Sequence, residues 1–121
     1  MSPLLLARRM FSCCSPGRGA VYEVSIRFSD ASVKTDYYNW LTSSHIQEVL
    51  KYDGFISAEL LEEFPGSDGF VVRYFLESES VFTKYDTSQD AQRLRLQGIE
   101  RFGDSFSATR RVLLSRDVFF R

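Results

Sequence analysis

One histidine, three strand-borne arginines and a set of aromatic residues carry whatever chemistry this sequence holds. His45 is the only histidine. Imidazole exchanges a proton near neutral pH, so His45 is the candidate catalytic residue, acting as a general base. No acid or nucleophile stands at a defined spacing from it, and the bland alternative is a half-buried ring bonded to polar neighbours. Tyr22, Tyr38, Trp40 and Tyr74 are candidate walls of an aromatic pocket for a small molecule. The same spacing also serves simple core packing. Arg73, Arg110 and Arg111 lie on segments that read as neighbouring strands. They either grip an anionic ligand or pair across strands with Glu23, Glu59 or Glu77.

Other motifs dissolve on inspection. Cys13 and Cys14 are the only cysteines, and adjacent thiols cannot staple a fold or build a zinc site, so no metal centre is expected. Gly66-Ser67-Asp68-Gly69 lacks the spacing of a phosphate-binding loop and lies in a hairpin. Arg101-Phe102-Gly103-Asp104 has a structural account, with Gly103 ending a helix. No residue implies a cofactor.

Two helical regions and four strands must position these side chains. Strict alternation from Val21 puts Tyr22, Val24, Ile26 and Phe28 on one strand face. Asp30-Ala31-Ser32 supplies a turn and a helix cap. Val33 to Leu50 reads as a helix whose stripe is Tyr38, Leu41, His45 and Val49, stopped at Tyr52-Asp53-Gly54. Phe55–Phe64, with Ile56, Ala58 and Leu60 on one face, reads as a second strand. A hairpin loop from Pro65 to Gly69 leads to a third strand, Phe70–Glu77. A helical region from Glu79 to Phe102 is expected to break near Asp86, with Thr87 or Ser88 capping the restart. The last strand spans Phe106–Leu114, and Val118-Phe119-Phe120 forms an apolar tail.

The order β-α-β-β-α-β, with right-handed crossovers, predicts an α+β, ferredoxin-like fold. Its four-stranded antiparallel sheet carries both helices on one face. Val21, Arg27, Leu61, Val71, Arg73, Phe75 and Leu113 fall on the other face, which is apolar enough to favour a homodimer with sheets stacked face to face.

The 121 residues fit one domain, and 44% hydrophobic with 26% charged residues excludes disorder over most of the length. Residues 1–20 carry Arg8, Arg9 and Arg18 and no acid, whereas the rest has an excess of acid. An acidic domain gains nothing from counterion release on nucleic acid. The division expected is a leader over residues 1–19, the domain over 20–115 and the tail over 116–121. The leader is rich in Ser and Arg, with Leu4-Leu5-Leu6 ahead of Arg8-Arg9, the composition of a transit peptide. Arg9-Met10-Phe11-Ser12 adds a processing pattern. A mitochondrial matrix location is therefore expected, a cytoplasmic one being the alternative. The leader is too short in apolar residues for a transmembrane segment.

Trp40, His45-Ile46-Gln47-Glu48-Val49-Leu50, Tyr74-Phe75-Leu76-Glu77-Ser78, Arg101-Phe102-Gly103-Asp104-Ser105-Phe106 and Arg110 with Leu113 together define a pattern. It resembles an uncharacterised, mainly bacterial family of domains of about 100 residues with a dimeric α-β barrel fold. The resemblance spans Val21 to Leu114 and implies the fold; it implies no activity.

Three functions follow as expectations. The first is a non-catalytic accessory or interaction protein of mitochondria, as a homodimer or with a protein partner in a larger complex. The alternative is a small-molecule-binding or monooxygenase/isomerase-like enzyme that uses the cleft between helices and sheet, with His45 as base. It requires a cavity of at least ~300 Å³ reaching His45. The third is RNA binding, since the RNA-recognition motif shares the topology and Gly69-Phe70-Val71-Val72-Arg73-Tyr74 is similar to its third-strand signature. Asp68 stands where that signature needs a base, so nucleic acid is the weakest of the three.

Overall fold

Alternating apolar residues build the central strand of the computed structural model, which describes residues 19–64, 66 and 68–121. β1 (Ala20–Phe28) is flanked by β3 (Gly69–Leu76) and β4 (Phe106–Leu114), and β2 (Phe55–Glu62) lies outside β3. The order β2-β3-β1-β4 is antiparallel throughout. This is the ferredoxin-like α+β fold, with the helices on one face.

The first helical segment is not one regular helix. A 3-10 turn (Ala31–Val33), capped by the Asp30 carboxylate accepting from Ser32 N, leads into α1 (Lys34–Trp40). A π turn (Leu41–His45) follows, and α2 (Ile46–Leu50) completes the segment. Gly54 then turns the chain at φ +94°, a conformation open to glycine. The second helical region breaks as its sequence suggests, into α3 (Glu79–Asp86) and α4 (Gln89–Phe102). Ser88 Oγ accepts from Ala91 N to cap α4, and Gly103 at φ +61° ends it.

The core lies between this helical layer and the sheet. Leu41, Val49, Val72, Tyr74, Leu76 and Leu94 are its most deeply buried large side chains. Aromatic rings fill much of it: Tyr22 stacks on Tyr74 at 5.6 Å between centroids, and Tyr37 meets Phe102 at 4.7 Å. Such contacts add about 0.5–1.5 kcal/mol each beyond area burial.

Two expected faces change. In β2 the pairing register shifts between Phe55 and Ser57, so Phe55, opposite Leu76, joins Ala58 and Leu60 in the rows that face the helices. The bulge displaces Ile56 from that set. In the first helical segment Tyr37, not Tyr38, faces inward: Tyr37 is buried and Tyr38 is 44% exposed, resting on Phe70. A step of four residues overshoots an α-helical turn by about 40°, and the wider π turn undershoots it. Tyr37, Leu41, His45 and Val49 consequently stay in one row. Residues 1–18 of the expected leader lie outside the described residues, as do Pro65 and Ser67 of the hairpin loop. Among the described residues no helix is long and apolar enough to cross a membrane.

Candidate functional site

Side-chain direction on the sheet decides which arginine can reach the space under the helices. Val24 pairs with Arg110, and Tyr22 pairs with Tyr74. These residues share the helix-facing side of the sheet. Glu23 pairs with Arg73 and Arg111 on the opposite side. Arg73 and Arg110 therefore cannot grip one ligand together. Strand alternation sends them to opposite faces. Arg73 and Arg111 instead donate through Nε to Glu23, at 2.9 and 3.0 Å. The hydrogen bond from Arg73, opposed by the cost of burial and aided by Arg111, holds the Glu23 carboxyl below its usual range.

The helix-facing row from α1 to α2 and the inner residues of β1, β3 and β4 enclose a cavity of about 40 Å³. Its polar lining is Tyr22, Tyr37, His45, Tyr74, Tyr85, Arg95 and Arg110, and no carboxylate faces it. Of the residues singled out from sequence, the fold brings together Tyr22, His45, Tyr74 and Arg110. Trp40 stacks on the outer side of the His45 ring, at 4.3 Å and 25° between planes, and does not line the cavity. Tyr38 is outside as well. Tyr37, Tyr85 and Arg95 escaped the sequence reading. The helical stripe, if drawn with the π turn, finds Tyr37. Tyr85 and Arg95 sit on the α3–α4 region, whose pattern gave no chemical cue.

The cavity is far smaller than the ~300 Å³ expected of an enclosing active site. Four tyrosine rings, of Tyr22, Tyr37, Tyr74 and Tyr85, line it. What remains holds about three waters, or the head group of a small ligand.

Electrostatics divides the lining into two ends. Arg95 Nη2 donates to Asp86 at 2.7 Å and to the Tyr22 hydroxyl at 3.3 Å, so its charge is matched. Arg110 forms no ion pair among the described residues. Its positive charge reaches the groups around it. Burial first, and Arg110 second, push His45 down to about 4. His45 is thus neutral at pH 7 and a weak base, not the base poised at neutrality that its type suggests. Its Nδ1 is buried without a hydrogen-bond partner. Burial pushes the Tyr37 and Tyr85 hydroxyls up to about 12 and raises Tyr74 further. All three remain protonated donors. The site is an array of neutral donors around His45 and one unmatched cation, Arg110, whose side chain also reaches solvent. Among the described residues no group of three or more His, Cys, Asp or Glu is placed to hold a metal.

Comparison with known proteins agrees with this architecture. The family model described as "Domain of unknown function (DUF4286)" matches residues 20–115. No curated protein matches the sequence. Among solved structures, the chain is similar to SnoaB, a cofactor-independent oxygenase from Streptomyces nogalater. The TM-score is 0.61 at 10% identity, over 84% of this chain and 96% of that one. Rv0793 from Mycobacterium tuberculosis gives 0.61 at 18%, over 82% and 97%. An ethyl tert-butyl ether d (ethd) family protein from Bacillus halodurans gives 0.57 at 8%, over 76% and 96%. At these identities the likeness is one of fold.

Proposed function

We propose, from the premise that the chain belongs to the DUF4286 family of unknown function, that it is a small-molecule-binding protein of oxygenase-like architecture. Its ligand is a weak organic acid whose anionic head enters the helix–sheet cavity. The observation that carries this reading is Arg110: an unmatched guanidinium beside a cavity lined by tyrosine hydroxyls and a neutral histidine, with no carboxylate present. Such a site favours the deprotonated form of a bound acid. The head must be small, since about 40 Å³ is open. The rest of the ligand lies over β4, a sheet edge where Arg110 itself is exposed.

The oxygenase among the similar structures supports extending this to chemistry. A weak acid that gives its proton to solvent and binds as its enolate can itself supply electrons to dioxygen, and Arg110 and the tyrosine hydroxyls are the groups available to stabilise that anion. His45, at about 4, accepts a hydrogen bond and is not the proton acceptor of choice. This reading is preferred to that of a mitochondrial accessory protein, which no feature of the described residues supports.

The test is a thermal-shift screen of small phenolic, enolic and carboxylic acids against the wild-type protein and Arg110→Gln. Acids are expected to raise the wild-type midpoint and leave Arg110→Gln unmoved. Those that bind are then followed for dioxygen uptake without added cofactor. Equal stabilisation of both proteins, or of neither by any acid, would sink the proposal.

A further inference from the structure

Two atoms in the wall of the cavity meet nothing within the chain. The Nε of Arg95, on α4, and the Nδ1 of His45, in the π turn, are both shielded from solvent. Neither has a hydrogen-bond partner among the described residues. Their side chains line the same cavity as Arg110. Buried polar atoms in folded proteins are nearly always bonded, so two orphans on one small cavity mark a place that a bound group completes.

The two atoms are complementary in kind. An arginine Nε always carries a hydrogen and only donates. Neutral imidazole has a hydrogen on one nitrogen and a lone pair on the other. No carboxylate lines the cavity, whereas Arg95 and Arg110 bring positive charge to it. Those charges favour the tautomer that turns the Nδ1 lone pair toward them. His45 Nδ1 is then an acceptor without a donor, and Arg95 Nε a donor without an acceptor. Arg95 already has its counter-charge, since its Nη2 donates to Asp86 at 2.7 Å. What its Nε lacks is a neutral acceptor, not a second anion. Arg110, with no ion pair among the described residues, is the end that calls for the anion.

We infer that Arg95 and His45 form a hydroxyl subsite, so that the acid taken by this cavity is a hydroxy acid. Its anionic head lies at Arg110, and its hydroxyl accepts from Arg95 Nε and donates to His45 Nδ1. The inference rests on the acid-binding reading above and narrows its ligand class. A hydroxyl both accepts and donates through one oxygen. A carbonyl oxygen in its place serves Arg95 alone, and a methyl group strands both atoms. Displacing water from a polar site gains affinity only when the incoming group reproduces the water's bonds. A site built for a hydroxyl therefore discriminates against the analogue without one.

Short acids are the probes, because only about 40 Å³ is open. Dissociation constants of propionate, lactate, 3-hydroxypropionate and pyruvate are measured by nuclear magnetic resonance titration of the full chain, with circular dichroism to establish that each variant folds. In the wild type the better hydroxy acid should bind roughly tenfold tighter than propionate, with pyruvate between the two. Arg95→Lys keeps a cation beside Asp86 but has no Nε–H donor at that position, and His45→Phe keeps an aromatic ring and loses the acceptor. Each should bring the hydroxy acids down toward propionate, whose own affinity changes little. Arg110→Gln should weaken all four acids alike. Equal affinities for the four acids in the wild type overturn the hydroxyl subsite while acid binding stands. Failure of every acid to bind overturns both together. A tenfold preference that survives in a folded Arg95→Lys or His45→Phe protein also refutes the assignment. So does pyruvate binding as tightly as the better hydroxy acid, which would make His45 a donor.

Discussion

Acidifying the protein through the titration of His45 tests the electrostatics of the cavity directly. The side chain is held neutral at about 4, against an ordinary 6.5. The unfolded chain therefore takes up the proton first as pH falls, and protonation draws the equilibrium toward unfolding. Stability from this group is complete above pH 6.5, declines between 6.5 and 4, and is fully lost below. The interval corresponds to about 3 kcal/mol, a large share of the roughly 5–15 kcal/mol that small domains possess. Urea melts of the wild type and His45→Gln across that interval should converge: the wild type loses stability as acid is added, and the variant does not lose this component. Glu23, lowered from 4.5, contributes stability present above 4.5 and lost as pH falls through its folded value. Its effect therefore begins where that of His45 is nearly complete. Trp40 provides a local readout. It is the single tryptophan and stacks on the imidazole at 4.3 Å, so a cationic ring should quench it with a midpoint near 4. In Arg110→Gln that midpoint should rise by about one pH unit or less, as a like charge is removed and burial remains. The reasoning is refuted by a Trp40 midpoint at the ordinary histidine value. A constant stability gap between the wild type and His45→Gln from neutrality to pH 4 also refutes it.

Other substitutions probe the frame around the site. Glu23→Ala removes the acceptor of two charged hydrogen bonds and should cost about 2 kcal/mol by denaturant melts, less than a fully buried pair because both arginines can rehydrate. Gly54→Ala meets both a positive φ and a Cβ position 2.5 Å from Val81 Cγ2; a loss of about 2 kcal/mol or more is expected. Ser88→Ala deletes the cap of α4 and should lower stability by about 1 kcal/mol. Leu94→Ala, at a 1% exposed position, should cost about 2–5 kcal/mol, with the spread set by how far the aromatic neighbours collapse.

Much of this fold is legible in the sequence because its strands alternate and its helix ends carry recognisable caps. Tyr22-Val24-Ile26-Phe28 fixes which side of β1 meets the helices. Ser88 and Gly103 mark both ends of α4. Even the uncovered face, from Val21 to Leu113, follows from alternation alone. The site is less legible. The identity of the inward-facing tyrosine on the first helical segment depends on one π turn, which no residue type in Leu41–His45 announces. Phe55 and Ile56 exchange roles through a bulge that the run of apolar residues conceals. Separating Arg110 from Arg73 requires only the parity of two strands, but the cavity's size depends on how four tyrosine rings pack. Ring packing is a tertiary outcome, and no local pattern encodes it.

The π turn also bears on how the cavity arose. A π turn holds one residue more than the α-helical turn it replaces. The segment from Lys34 to Leu50 can thus be viewed as an ordinary helix that has gained a residue between Trp40 and Ile46. Removing one residue there, for example Ser43 or Ser44 from the exposed side, would return a regular helix and rotate everything after it by about 100°. His45 and Val49 would leave the row begun by Tyr37. A deletion there would therefore leave the segment helical while taking His45 out of the cavity and Val49, 2% exposed, out of the core.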